Sequence, residues 1–223
     1  MTFSIQHYFE FLSLMVATFC IIKVRNSFLV LFIPYLFIVL GVELYSKYMY
    51  VTYQTSTVWL YSALTLLSQL FYSFLFYKYA EVTRHKQAIV ILTGTTAIGT
   101  IVYYILTSFA FNNYAVVVGG IAQVVLACLH FYYYLQNDNY VKENHYSSGL
   151  FIAGGILIFY SGISICLSLY NYILLNKLAI FDTPLYNFIP RYLSVILYGC
   201  ISIALLIWKK PRTISSSPSS YPV

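Results

Sequence analysis

The stretch Trp59–Lys78, WLYSALTLLSQLFYSFLFYK, decides how this chain is read. It is one apolar segment with a single polar stripe, and as a helix rising about 1.5 Å per residue it crosses roughly 30 Å of hydrocarbon. It runs straight into Glu81, Arg84, His85 and Lys86. Basic residues beside a span are retained on the cytoplasmic side, so Lys78, Arg84 and Lys86 place the C-terminal end of this helix inside. Ser62, Thr65, Gln69 and Tyr72 recur at spacings of three and four and therefore share one face. A buried amide in lipid is costly without a partner, so that face is predicted to look into protein.

Composition extends the same reading to the whole chain. Of 223 residues, 61% are hydrophobic and only 8% charged, with a mean hydropathy of +0.77. A soluble domain carries about 25% charged residues, so the expected fold class is an all-α polytopic membrane protein. The net charge of +6 does not indicate nucleic acid, because its cations are scattered at helix ends and not gathered in a run. Cys20, Cys128, Cys166 and Cys200 lie singly inside apolar stretches, without a C-x-x-C pair or a His at ligand spacing, and indicate neither a disulfide framework nor a metal site. The first apolar run has no basic n-region and no small-residue cleavage site, so it is expected to stay as a first helix.

Outward from the opening stretch, the hydropathy predicts a seven-transmembrane-helix bundle with spans 4–22, 27–45, 59–78, 87–109, 114–135, 148–169 and 186–208. Pro34 falls within the second span. Tyr45, Lys47, Tyr48, Tyr50 and Tyr53 are assigned to an outer loop at the headgroup level. Small and hydroxyl residues in the fourth span (Thr93, Gly94, Thr96, Gly99, Thr100) and the sixth (Gly154, Gly155, Gly162) are predicted to allow close helix approach. Asn112 and Asn113 make a short outer turn. With the N-terminus outside and the C-terminus cytoplasmic, Lys23, Arg25, Lys78, Arg84, Lys86, Lys142, Lys209, Lys210 and Arg212 fall inside, and only Lys47, Lys177 and Arg191 outside. Residues 1–210 are thus the seven-helix transmembrane domain. Residues 211–223, rich in Ser and Pro, are expected to be a disordered cytoplasmic tail, with no output domain attached.

Two groups of residues are candidates for function. Glu10, Glu43 and Arg191 lie toward the predicted outer face, where they either line a pocket for a small polar or charged ligand or form an interhelical ion-pair clamp. Gln69, Gln123, His130, Ser161 and Ser164 form a second, intramembrane polar row. His130 suits a proton-coupled step, although a single His on a helix more often holds a structural hydrogen bond. No catalytic residue, metal set or cofactor motif stands out. A retinal protein needs a mid-membrane lysine on its last helix, and residues 187–208 contain none. Membrane hydrolases of the ceramidase type need several His and Asp near one face.

The runs VELYSKY (Val42–Tyr48), VWLYSALTLLSQLFYSFLFYKYA (Val58–Ala80) and GLFIAGGILIFYSG (Gly149–Gly162) resemble a group of uncharacterised small seven-helix bacterial inner-membrane proteins. Members of that group often carry an acidic residue near the middle of the third span, where this chain has Ser68 and Gln69. The resemblance implies an architecture and the cell inner membrane, not an activity. The expected function is a non-enzymatic sensor or accessory subunit that relays to a protein partner through its cytoplasmic loops. The alternatives are a channel or small-solute permease, as a monomer or an oligomer, and a structural subunit of a membrane complex. The lipid bilayer is the one partner the composition itself requires.

Overall fold

A computed structural model describes residues 4–25, 27–55, 57–107, 113–136, 144–180 and 183–208. Nearly all of them are helical. In chain order the elements are α1 (Ile5–Phe19), α2 (Ile21–Val24), a 3-10 turn (Phe28–Leu31), α3 (Phe32–Tyr53), α4 (Val58–Tyr79), α5 (Thr83–Leu106), α6 (Asn113–Gln136), α7 (Asn144–Ser168), α8 (Tyr170–Leu175), the strands β1 (Ala179–Ile180) and β2 (Thr183–Pro184), and α9 (Leu185–Ile207). Among the described residues six helices are long and apolar enough to span a bilayer: 28–53, 59–79, 83–106, 115–136, 147–168 and 185–207. Their outward faces carry large side chains such as Phe37, Ile91, Ile98, Leu135 and Ile165, all more than half exposed. An apolar exterior of this extent is incompatible with water and suits lipid. The protein is an integral, multi-pass membrane protein.

Several boundaries differ from the sequence reading. The first predicted span is interrupted at Cys20, which separates the 15-residue α1 from the short α2. Alone, α1 covers about 22 Å, short of a crossing. The second span ends later than predicted, because α3 continues to Tyr53 and stops only where Gln54 turns left-handed at φ 51°. Tyr45, Lys47, Tyr48, Tyr50 and Tyr53 are therefore helical, not looped, although all four tyrosines are exposed as an interface belt requires. Pro34 sits in the first turn of α3, not mid-span; there a backbone N–H has no intrahelical partner to lose. The loop predicted around Arg84, His85 and Lys86 shrinks to Ala80–Val82, since α5 begins at Thr83. The predicted outer loop before the last span holds α8 and a two-residue hairpin. Asn112, Lys142, the cations at 209, 210 and 212, and the 211–223 tail lie outside the described residues.

Helix α7 is the centre of the bundle, packed most extensively against α9 and α6. Gly155 and Gly162 allow the α7–α9 approach, since an added Cβ would stand 2.8 Å from Cys200 Cβ and 2.6 Å from a Leu193 methyl. The small residues of α5 behave otherwise. Gly94 and Gly99 have no neighbour within 4 Å, so they do not mediate the close contact predicted for them.

Helix α1 fills the seam between α9 and α3. Ser13 Oγ donates to the Tyr198 carbonyl at 2.8 Å and lies 2.8 Å from Ser202 Oγ. Further along, Lys23 donates to the Leu206 carbonyl. Successive positions on α1–α2 thus meet successive positions on α9, and the first and last helices run parallel. Between α3 and α4, Tyr35 stacks on Phe71 with centroids 4.0 Å apart, and its hydroxyl lies 3.0 Å from both Ser68 Oγ and the Tyr72 hydroxyl. These shared hydroxyls satisfy one another where no water reaches.

Candidate functional site

The polar stripe of α4 faces inward in part: Ser62, Gln69 and Tyr72 are buried, as is Ser73, whereas Thr65 is half-buried and its hydroxyl donates to the Tyr61 carbonyl of its own helix at 2.8 Å. Gln69 stands midway along the helix and lies in a notch on α6 made by Gly119, where an added Cβ would overlap its amide. Among the described residues neither its Oε1 nor its Nε2 finds a partner. One turn on, Gln123 Nε2 donates to the Gln69 carbonyl at 3.1 Å and to Ser73 Oγ at 3.0 Å, while Gln123 Oε1 is unpartnered. Ser164 on α7 points its unpartnered Oγ at the neighbouring Gly120. The structure therefore gathers Gln69, Gln123 and Ser164 along the seam of α4, α6 and α7. Ser161 turns aside, its hydroxyl donating to the Leu157 carbonyl of its own helix at 2.6 Å.

His130 continues the α6 face two turns beyond Gln123. It lies at the end of the bundle where α4 passes into α5, and there the side chains part around a cavity of about 290 Å³. Phe76, Tyr79, Ile89 and Leu126 form a buried floor, and Glu81, Val82 and Gln136 an exposed rim. His130 Nε2 is buried without a partner, close against Gly149 of α7. Tyr79 OH is held by Ser148 Oγ at 2.9 Å, which fixes its ring beside the imidazole, centroids 5.4 Å apart. His85, in the first turn of α5, stacks on Tyr133 of α6 and ties the loop to the cavity wall. The volume lies near the lower limit for small-molecule sites, about 300 Å³.

The predicted outer group is only partly assembled. Glu10 on α1 is buried, with 2% of its surface exposed, and its Oε2 has no partner. Glu43 on α3 accepts from Gln6 Nε2 at 3.0 Å and lies within electrostatic reach of Glu10. Arg191 is exposed on α9, and among the described residues no ion pair joins it to either carboxylate. The predicted clamp is not made, because the guanidinium lies at the surface while the Glu10 carboxyl points into the α1–α3 seam.

Sequence reasoning found Gln69, Gln123 and His130 but missed Tyr79, Glu81, His85 and Tyr133. The α4 stripe in fact continues from Tyr72 through Phe76 to Tyr79 at helical spacing, a signal hidden by the abundance of tyrosine. No group of three or more His, Cys, Asp or Glu among the described residues is arranged to hold a metal. No family model, curated protein or solved structure matches this chain.

Proposed function

We propose that this membrane protein is a non-enzymatic receptor subunit of the cell inner membrane, crossing it seven times with its N-terminus outside and its C-terminus in the cytoplasm. A small ligand enters the cavity at the α4–α5 turn, and that turn passes its occupancy to a separate protein partner. The observation that carries this reading is the cavity itself, with Phe76, Tyr79 and the His130 ring in its wall and the loop residues Glu81 and Val82 on its rim. The ligand seat thus moves from the outer face, where Glu10, Glu43 and Arg191 suggested it, to the cytoplasmic end.

The seven crossings draw support from α1 and α9. The Cys20 N–H bonds the Val16 carbonyl and the Val24 N–H bonds the Cys20 carbonyl, so α1 and α2 are joined at Cys20 and the stretch Ile5–Val24 is long enough for roughly 30 Å. Their parallel course with α9 requires an odd number of crossings from first to last. The cation distribution then orients the bundle with the cavity inside.

A permease is the second reading, favoured by the polar seam of Gln69, Gln123, Ser73 and Ser164 leading toward the cavity. Against it, Tyr72, Leu75, Phe76 and Leu126 are packed to 3% exposure or less beside that seam. Proteoliposomes decide between the two: the receptor reading expects uptake of potassium, choline and glycerol at the rate of empty liposomes. Uptake above that background refutes it. Orientation is tested on cysteine-substituted variants with an impermeant maleimide, which should label Gln54→Cys on intact cells and Val82→Cys only after permeabilisation. Labelling of both from one side would refute the topology.

A further inference from the structure

We propose that the cavity at the α4–α5 turn takes a small organic cation, an ammonium group bearing methyl or short alkyl substituents. The inference rests on the receptor reading above and specifies its ligand. The chemistry of the wall points to it. Phe76, Tyr79, Tyr133 and Tyr134 line the cavity, and with them His85 and His130. Aromatic faces carry negative potential and attract a cation within about 6 Å of the ring centroid, most strongly where water is displaced. Among the described lining residues Glu81 is the only one with a formal charge, and it sits at the mouth.

Two of the basic residues of the same turn lie over rings outside the cavity lining. Lys78 Nζ lies over the Phe74 ring at 5.3 Å and Lys86 Nζ over the Tyr77 ring at 5.5 Å, and neither ring lines the cavity. Neither lysine is among the residues that line the cavity. His130 contributes its ring to the inner wall, while its Nε2 is turned to Gly149 of α7 and away from the cavity. A wall rich in aromatic faces, one carboxylate at the entrance and a volume of about 290 Å³ together select a compact cation over an anion or a sugar.

The same headgroup chemistry is carried by choline lipids and by free quaternary amines, and one experiment separates them. The full-length protein is placed in nanodiscs of phosphatidylglycerol and titrated with choline and tetramethylammonium, followed by saturation-transfer NMR of the ligand. Saturable binding is expected, with at least about tenfold weaker binding of the neutral isostere in which carbon replaces the choline nitrogen. Tyr133→Leu and Glu81→Gln should each weaken choline about tenfold, and Tyr133→Phe, which keeps the ring, by less than about twofold. Choline binding that persists in phosphatidylcholine nanodiscs identifies a soluble cation as occupant; its loss there identifies the lipid headgroup. Equal binding of the neutral isostere, or of benzoate, overturns the cation and leaves the receptor reading standing. Failure of choline, the isostere and benzoate alike to bind overturns both.

Discussion

Replacing Gly119 by alanine should destabilise the bundle by about 1–3 kcal/mol, the cost of overpacking a filled interior. The magnitude follows from the seat of Gln69: an ideal Cβ at Gly119 would stand 2.5 Å from Gln69 Cδ and closer still to its Nε2. Carbon contacts are comfortable only near 3.5–4.0 Å, so either the amide swings away or α4 and α6 separate. The bonds from Gln123 Nε2 to the Gln69 backbone carbonyl and to Ser73 Oγ hold α4 and α6 together one turn on, so displacement of the Gln69 amide is the cheaper response and sets the cost toward the lower end of that range. Gln69→Ala alone removes two buried polar atoms that have no partner, a gain that offsets much of the packing it loses. In the Gln69→Ala background the Gly119→Ala methyl finds room, and its cost should fall to near zero. The double-mutant cycle therefore predicts a coupling of about 1–3 kcal/mol between the two sites. The assay is reversible unfolding of all four proteins in mixed micelles titrated with dodecyl sulfate and followed by far-UV circular dichroism. Additivity to within about 0.5 kcal/mol would show that Gln69 is not lodged against Gly119, and the polar seam would have to be redrawn.

Since the buried Glu10 has no ion pair to Arg191, Arg191→Ala and Glu10→Gln should each leave unfolding within about 0.5 kcal/mol of the parent in the same assay; a loss of about 3–5 kcal/mol from either would restore the clamp. Ser13→Ala breaks the hydroxyl link to Tyr198 and Ser202 and should cost about 0.6 kcal/mol, up to about 1.7 kcal/mol, the range for interhelical hydrogen bonds in membranes; no change would place α1 away from α9. Gly149→Ala puts a Cβ 2.9 Å from His130 Nε2 and 3.0 Å from Tyr79 Cε1, and should destabilise by about 1–3 kcal/mol while weakening any cavity ligand. Unchanged stability and binding in that variant would move His130 out of the cavity wall.

The elements most legible in the sequence were those whose solvent is visible in composition. Trp59–Lys78 reappears as α4 with one residue added at each end, because nothing in it breaks a helix and Ala80 ends it in an extended conformation. Helix α3 was misread for the opposite reason. The aromatics from Tyr45 to Tyr53 suit the headgroup level, but that level does not oblige the backbone to leave the helix, and only Gln54 does so. Among the site residues, Gln69 and Gln123 were legible as amides in mid-span, where lipid would not tolerate them. Ser161 was not, since a serine can bond its own helix at no cost to the neighbours. The cavity was out of reach because it depends on how α4, α5 and α6 rotate to set Tyr79, His85 and His130 around one space, which no single-helix periodicity records.

The parallel pairing of α1 with α9 also bears on how the protein is made. Its hydroxyl link joins Ser13 to Ser202, residues separated by 189 positions, so α1 receives this neighbour only after those intervening residues have been synthesised. Until then Ser13, sealed in the finished molecule, lacks the wall that α9 provides. Biogenesis must therefore shelter an incomplete bundle whose opening is closed late, and chains truncated before α9 would be the natural substrates of membrane quality control.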